Sequence, residues 1–261
     1  MAHMCLEKIK PTMKIIIVSQ NSIRKHFLRI NGFQISNEIG VFTLYKSPTT
    51  PDVIVFSRGS TESITKDLAA LFEMLKPTFV VSLGFASSMS QNVKIGAILK
   101  FNEISAVSGP MALWNSDDAL SLAAPVNRPI SALFETLDEN RGWFYEGSLL
   151  TTPRMVRTSK MKHWVFKEFH VSAIDKDGFY VGDVCVSQQL PYAVIRGINN
   201  DENTNSSNLA GLMNRKGHVG FWRIIVRPHL YLSYAKIHSR NMKARKNLER
   251  LLDRVLGLEI Q

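Results

Sequence analysis

Four short apolar runs constrain this chain more than any other feature. Residues 13–19 read MKIIIVS, 52–56 DVIVF, 78–83 TFVVSL and 192–198 YAVIRGI. Continuous runs of this length, rich in Ile and Val, belong to buried strands covered on both faces. Between the second and third runs, Ile64, Leu68, Leu71, Phe72 and Leu75 recur at helical spacing, and Pro77 closes that helix. A strand, a helix and a strand in this order make a βαβ unit with parallel strands. Further helices are expected over 22–31, 128–137, 161–169, 178–189 and, basic and amphipathic, 241–256. Strands are expected over 40–46, 97–101 and 143–150, with a stub at 173–174 and a polar loop over 199–207. The pattern predicts a three-layer α/β domain over 13–204, with a central mixed β-sheet flanked by helices. A basic helical C-terminal extension, 205–261, packs on or beside it. Residues 1–12 are set aside as a tag scar and leader.

Composition excludes several classes. Hydrophobic residues are 45% and charged residues 21% of the chain, the values of a folded globular protein. Cys5 and Cys185 are too few for a disulfide scaffold or a Cys-based zinc site. The histidines show no HxxxH or HxH spacing, so no metal site and no cofactor are expected. No apolar run reaches ~18 residues, so no spanning helix is expected and the cytoplasm is the default location. Gly59 and Gly84 are not followed by Gly-Lys-Ser/Thr, and Ser57 and Ser60 lack a Gly-x-Ser-x-Gly frame. Charge is uneven: residues 215–261 hold eleven Lys/Arg and three Asp/Glu, +8 of the total +10. In open α/β sheets ligands gather at the carboxyl ends of strands. Segments 19–21, 58–60, 84–86, 151–153 and 199–201 are therefore expected around one crevice.

Several blocks carry a resemblance. Residues 82–89 (SLGFASSM) and 95–99 (IGAIL) resemble the Gly-rich turn and following strand of the purine nucleoside/uridine phosphorylase family, which includes the methylthioadenosine/adenosylhomocysteine nucleosidases. Residues 147–156 (GSLLTTPRMV) resemble the family's stretch ending in the base-binding aromatic. Asp175-Lys176-Asp177-Gly178 resembles its Asp-Met-Glu-Gly motif, and Arg196-Gly197-Ile198-Asn199-Asn200 its Arg-x-x-Ser-Asp motif. The tail, Asn214-Arg215-Lys216-Gly217 and then 221–228 and a basic helix, is similar to that of the hopanoid-associated branch. That branch is linked to removal of adenine from adenosylhopane, a lipid nucleoside.

The resemblance implies roles residue by residue. Gly84, Phe85, Ala86, Met155 and Val156 would line the base, with Met155 where the family has an aromatic. Asp177 and Lys176 would meet the ribose, Asp177 being one methylene shorter than the family's Glu. Asn200 stands where an Asp acts as general acid; an amide donates a hydrogen bond to the purine N7 but cannot transfer a proton. Asp201 could serve only if the loop register slips. Ser19-Gln20-Asn21 replace the expected N-terminal Glu, and the family's phosphate turn is missing, leaving Arg58 and Arg196 either as anion candidates or as structural residues. The resulting expectation is cleavage of the N-glycosidic bond of a purine nucleoside, by hydrolysis rather than phosphorolysis, with adenosylhopane-like lipid nucleosides as the narrower substrate class. The alternative is a catalytically reduced nucleoside-binding protein of the same fold. The expected partners are the nucleoside, further copies of the chain and, through the tail, an anionic membrane surface peripheral to the inner membrane. The competing expectation for the last helix is that its apolar face packs on the α/β domain. Nucleic-acid binding ranks last, because the basic tail carries no recognised nucleic-acid fold.

Overall fold

The computed structural model describes residues 13–19, 28, 32–48, 53–57, 61–123, 143–204 and 229–256. Within them, ten strands form one mixed sheet. They are β1 (Lys14–Val18), β2 (Gln34–Ile39), β3 (Phe42–Lys46), β4 (Val53–Ser57), β5 (Phe79–Ser88), β6 (Ile98–Ala106), β7 (Leu120–Ala123), β8 (Phe144–Thr151), β9 (Ala173–Asp175) and β10 (Tyr192–Asn200). Four α-helices accompany them: α1 (Thr61–Leu75), α2 (Ser159–Phe169), α3 (Gly178–Ser187) and α4 (His229–Leu256). The isoleucine run of β1 lies inside the sheet, parallel to both β4 and β5, with Ile15 to Val18 at most 3% exposed. The βαβ unit read from the sequence is therefore present, but β4 and β5 are not neighbours; the connection through α1 passes β1.

β5 departs from expectation in an informative way. It does not end at Leu83: it runs ten residues, straight through Gly84. On one edge its residues 79–83 pair with β1 and its residues 87–88 with β9. On the other edge it pairs with β10 from Val80 to Ser87. Gly84 thus sits where β5 changes partner, not in a turn. Beyond it, β5, β9, β8, β6 and β10 pair in succession and close on β5 again, while β1, β4, β3 and β2 extend as an open sheet. β2 and β7 were not anticipated. β2 (QISNEI) is almost wholly exposed at the sheet edge, so no buried face marks it in the sequence. β10 runs on to Asn200, which therefore closes a strand rather than opening a loop. Apart from Leu28, the helix expected over 22–31 lies outside the described residues, as do the helix over 128–137 and the segment 221–228.

Three apolar clusters hold the layers together. α1 and α3 cover one face of the sheet with Leu68, Leu71, Phe72, Val181 and Val184. α2 packs Val165 against Leu150, Val156 and Ile174. α4 covers the opposite face: Leu248, Leu251, Leu252 and Val255 pack against Ile16, Val18, Val81 and Ile195. The helix comes so close to β10 that a Cβ on Gly197 would lie 2.9 Å from the Leu248 side chain. Buried Lys14 donates its Nζ to the Val255 and Leu256 carbonyls at 3.2 and 3.4 Å, a cation at a helix C-terminus where the dipole favours it.

This placement corrects the membrane-docking expectation for the last helix. Its apolar stripe faces the sheet and is not free to enter a bilayer, while Lys236, Lys243, Lys246, Arg250 and Arg254 line its exposed side. Among the described residues no helix is long and apolar enough to cross a membrane. Leu252 is fully buried, so Leu252→Ala should destabilise the fold by about 2–5 kcal/mol, seen as a lower midpoint in urea unfolding with an unchanged slope.

Candidate functional site

Arg196 lies on β10, paired with Gly84 of β5, and its side chain is completely buried. A guanidinium has five N–H donors, and burial makes each unsatisfied one costly. All five are used. Nε donates to Asp175 Oδ2 at 2.8 Å; one terminal nitrogen donates to the Ser82 and Ile195 carbonyls at 2.8 and 3.0 Å; the other donates to Ser82 Oγ and Asp177 Oδ1, both at 3.1 Å. Arg196 in this arrangement has no donor left for a phosphate. Arg58, the other anion candidate, lies outside the described residues.

The glycines around Arg196 have a steric reason. A Cβ on Gly84 would lie 2.5 Å from Ser19 Oγ and 3.3 Å from Arg196 Nε. One on Gly178 would lie 2.7 Å from Asp175 Oδ2. Asp175 ties β9 to the start of α3: Oδ2 accepts from the Gly178 N–H at 2.9 Å, and Oδ1 accepts from Thr151 Oγ1 at 2.6 Å. Thr151 Oγ1 in turn accepts from the Phe179 N–H at 2.9 Å. The first N–H groups of α3 are thus met by β8 and β9. Asp177, the N-cap residue, makes no capping bond with its side chain, which turns to Arg196 instead. Burial pushes the Asp175 carboxyl up to about 6, against the pull of Arg196, and the nearby Asp177 charge adds to the rise.

Asp177 gives Arg196 one carboxylate oxygen; the other has no hydrogen-bond partner among the described residues, and the side chain is 16% exposed. Asn200 ends β10 opposite Ser87. It is 7% exposed, and its Oδ1 is buried with no hydrogen-bond partner among the described residues. Asp201 points elsewhere: its carboxylate accepts from Thr204 Oγ1 and pairs with Arg240 of α4 at 3.3 Å. Its backbone carbonyl accepts from Lys162 Nζ at 2.6 Å. Lys162 comes from α2 and is 1% exposed; burial pulls its ammonium down to about 8, against the charges of Asp201 and Glu202.

The residues expected to line a base do not share one face. Within β5, side chains alternate, so Ala86 joins the cluster under α1 and α3 while Phe85 packs with the cluster under α4. Val156 is buried in the α2 cluster, whereas Met155 is 48% exposed and Lys176 is exposed. The structure therefore joins Gly84, Asp177 and Arg196 in one network, sets Asn200 at the end of β10, and leaves Phe85, Val156 and Lys176 to other surroundings. Asp175, Thr151, Ser82, Lys162 and Arg240 were not singled out as site residues. Lys162 had a signal: it shares the apolar stripe of its helix with Val165 and Phe169. Among the described residues no group of three or more His, Cys, Asp or Glu side chains is placed to hold a metal.

Two measurements test these electrostatics. Arg196→Met should cost about 3–5 kcal/mol in urea unfolding, because it strands the buried Asp175 carboxylate; Arg196→Met with Asp175→Leu should recover a large part of that loss. For Lys162 the folded state binds fewer protons than the unfolded chain between pH about 8 and 10.5. Its contribution to stability therefore rises with pH across that window. The stability difference between wild type and Lys162→Met, followed from pH 7.5 to 10.5, should move in favour of the wild type.

Solved structures share this architecture. A futalosine hydrolase mutant of Helicobacter pylori superposes with a TM-score of 0.67 at 16% identity, covering 93% of this chain and 99% of that one. An Asp-to-Asn mutant of the 5′-methylthioadenosine/S-adenosylhomocysteine nucleosidase of H. pylori, with 5′-methylthioadenosine in the active site, gives 0.67 at 15% identity, covering 94% and 100%. The Neisseria meningitidis nucleosidase in complex with methylthio-immucillin-A gives 0.69 at 14% identity, covering 95% and 100%. No curated protein matches in sequence. None of these findings singles out the hopanoid-associated branch. The sequence model of the Phosphorylase superfamily matches residues 30–217, which span β2 to β10, and the chain belongs to that superfamily.

Proposed function

We propose that this chain binds a purine nucleoside at the carboxyl ends of β5, β9 and β10 and cleaves its N-glycosidic bond by hydrolysis. The observation that carries the reading is Asn200: a buried amide with an unpartnered Oδ1 at the end of a central strand. An unsatisfied buried polar atom costs about 1–3 kcal/mol, which a bound base edge would offset. Asp177 supplies the second contact, its free carboxylate oxygen accepting from a sugar hydroxyl. Cleavage loosens the bond from the anomeric carbon to the base nitrogen, and positive charge gathers on the sugar. The Asp177 carboxylate favours that charge. Asn200 donates an Nδ2–H to the leaving base without protonating it; water adds to the anomeric carbon and releases a proton to solvent, and the departed base takes up a proton from solvent. Hydrolysis is preferred to phosphorolysis because Arg196, the described anion candidate, has every donor engaged. Lipid-linked nucleosides remain the narrower substrate class suggested by the tail.

A second reading rests on the same residues. Asn200 cannot transfer a proton, Asp201 is held by Arg240 and Thr204, and Asp175 is enclosed by Arg196, Gly178 and Thr151. With Asn200, Asp201 and Asp175 all unable to hand the base a proton, and Asp177 taken up by Arg196 and the sugar, the site would hold a nucleoside and leave it intact. An Asp-to-Asn mutant of the H. pylori nucleosidase holds methylthioadenosine in its active site, which supports this version.

Adenine release from methylthioadenosine and adenosine, measured with and without phosphate, separates the two. Under the hydrolytic reading release is independent of phosphate. Asp177→Ala then lowers kcat/KM by roughly thirty- to a thousand-fold, the equivalent of about 2–4 kcal/mol. Under the binding reading the wild type binds without release, and Asn200→Asp restores turnover. No binding and no release in either protein would refute both.

A further inference from the structure

Asn200 makes no side-chain hydrogen bond of its own among the described residues, so its neighbours must set its direction. The pairing of β10 with β5 slips just before it: Ile198 faces Ala86, and Asn200 faces the next residue, Ser87. Asn199 is the extra residue of a β-bulge, a device that re-aims the following side chain. The bulge is tied to α4, because Asn199 Nδ2 donates to Asn241 Oδ1 at 2.9 Å. The residue on the other side, Asp201, is tied twice. Arg240, next to Asn241 on α4, pairs with its carboxylate and also donates to Thr204 Oγ1, which itself donates to that carboxylate. Lys162 of α2 donates to the Asp201 carbonyl, the same oxygen that accepts from the Thr204 N–H at 3.2 Å in the closing turn.

We propose that Lys162 and Arg240 are positioning residues that clamp Asp201 from two helices and so fix the bulge that aims Asn200. The proposal rests on Asn200 being the group that holds the base, but the clamp acts on the empty protein too. A Lys at 1% exposure whose one described hydrogen bond goes to a main-chain carbonyl is costly for stability alone. Arg240 also gives α4 a role beyond covering the sheet. α4 lies past residues 30–217, so a segment outside the family match completes the setting of the strand end. Asp201 is thereby a fixed anchor and not a spare acid.

The test reads Asn200 directly. In uniformly 15N-labelled full-length protein, the side-chain amide pair of Asn200 is assigned by its loss in Asn200→Asp. Lys162→Met, Arg240→Ala and Asp201→Asn should each move that pair by more than its linewidth, or broaden it. Arg240→Lys, which keeps the charge opposite Asp201, should bring it part of the way back. Lys246→Ala, on the exposed face of α4, should leave it in place. Should Lys162→Met not fold, the Arg240 and Asp201 variants carry the test. An unmoved Asn200 pair in folded Arg240→Ala and Asp201→Asn would overturn the clamp, even if both melt at lower temperature. Adenine titrated into the wild type tests the underlying reading separately: an Asn200 pair that ignores adenine refutes base binding there, while the ligand-free spectra still decide the clamp.

Discussion

The buried guanidinium of Arg196 is the constraint on which the centre of this protein depends. A positive charge with no access to water survives only if its donors and its charge are both answered. The answers come from β5 through Ser82, from β9 through Asp175, from the entry to α3 through Asp177, and from the backbone of β10 itself. These elements are therefore obliged to meet at one point. Gly84 and Gly178 follow from that meeting, since a Cβ at either would press on the network. So does the unusual start of α3. Its Asp N-cap is drawn away, and Asp175 and Thr151 take over the first N–H groups of the helix.

The C-terminal helix solves a second problem with the same economy of contacts. Its apolar stripe closes the face of the sheet left open by α1 and α3, and its basic residues are left on the outer side. Two of its polar residues, Arg240 and Asn241, reach the end of β10. The helix thus links core packing to the geometry of Asn200.

Chemically, the proposed site differs from a general-acid site by a single atom type. An amide at position 200 keeps the hydrogen-bonding outline of a carboxyl group but has no proton to give at neutral pH. What the chain retains is a carboxylate near the proposed sugar position and a polar atom waiting for a partner. Turnover at such a site requires the leaving base to depart on a hydrogen bond alone.

The sequence by itself determined the layers. Runs of Ile and Val mark β1, β4, the first half of β5 and most of β10, because buried strands need apolar side chains on both faces. The spacing of Ile64, Leu68, Leu71, Phe72 and Leu75 gave α1 its bounds, because a helix writes its 3.6-residue period into the chain. Asp177, Arg196 and Asn200 stood out through their motifs, but the motif left Arg196 open between an anion ligand and a structural residue. Only the tertiary structure decided the rest. β5 runs through Gly84 because it finds β10 along one edge and β9 beyond β1 on the other, pairings that leave no local mark. Arg196 is an anchor and not an anion ligand because partners 21 and 114 residues away saturate it. Asp201 is withheld from the site because Arg240, 39 residues along, lies across from it; Lys162, 39 residues the other way, holds its carbonyl. Hydrogen-bond satisfaction is a property of groups brought together by folding, and no periodicity along the chain records it.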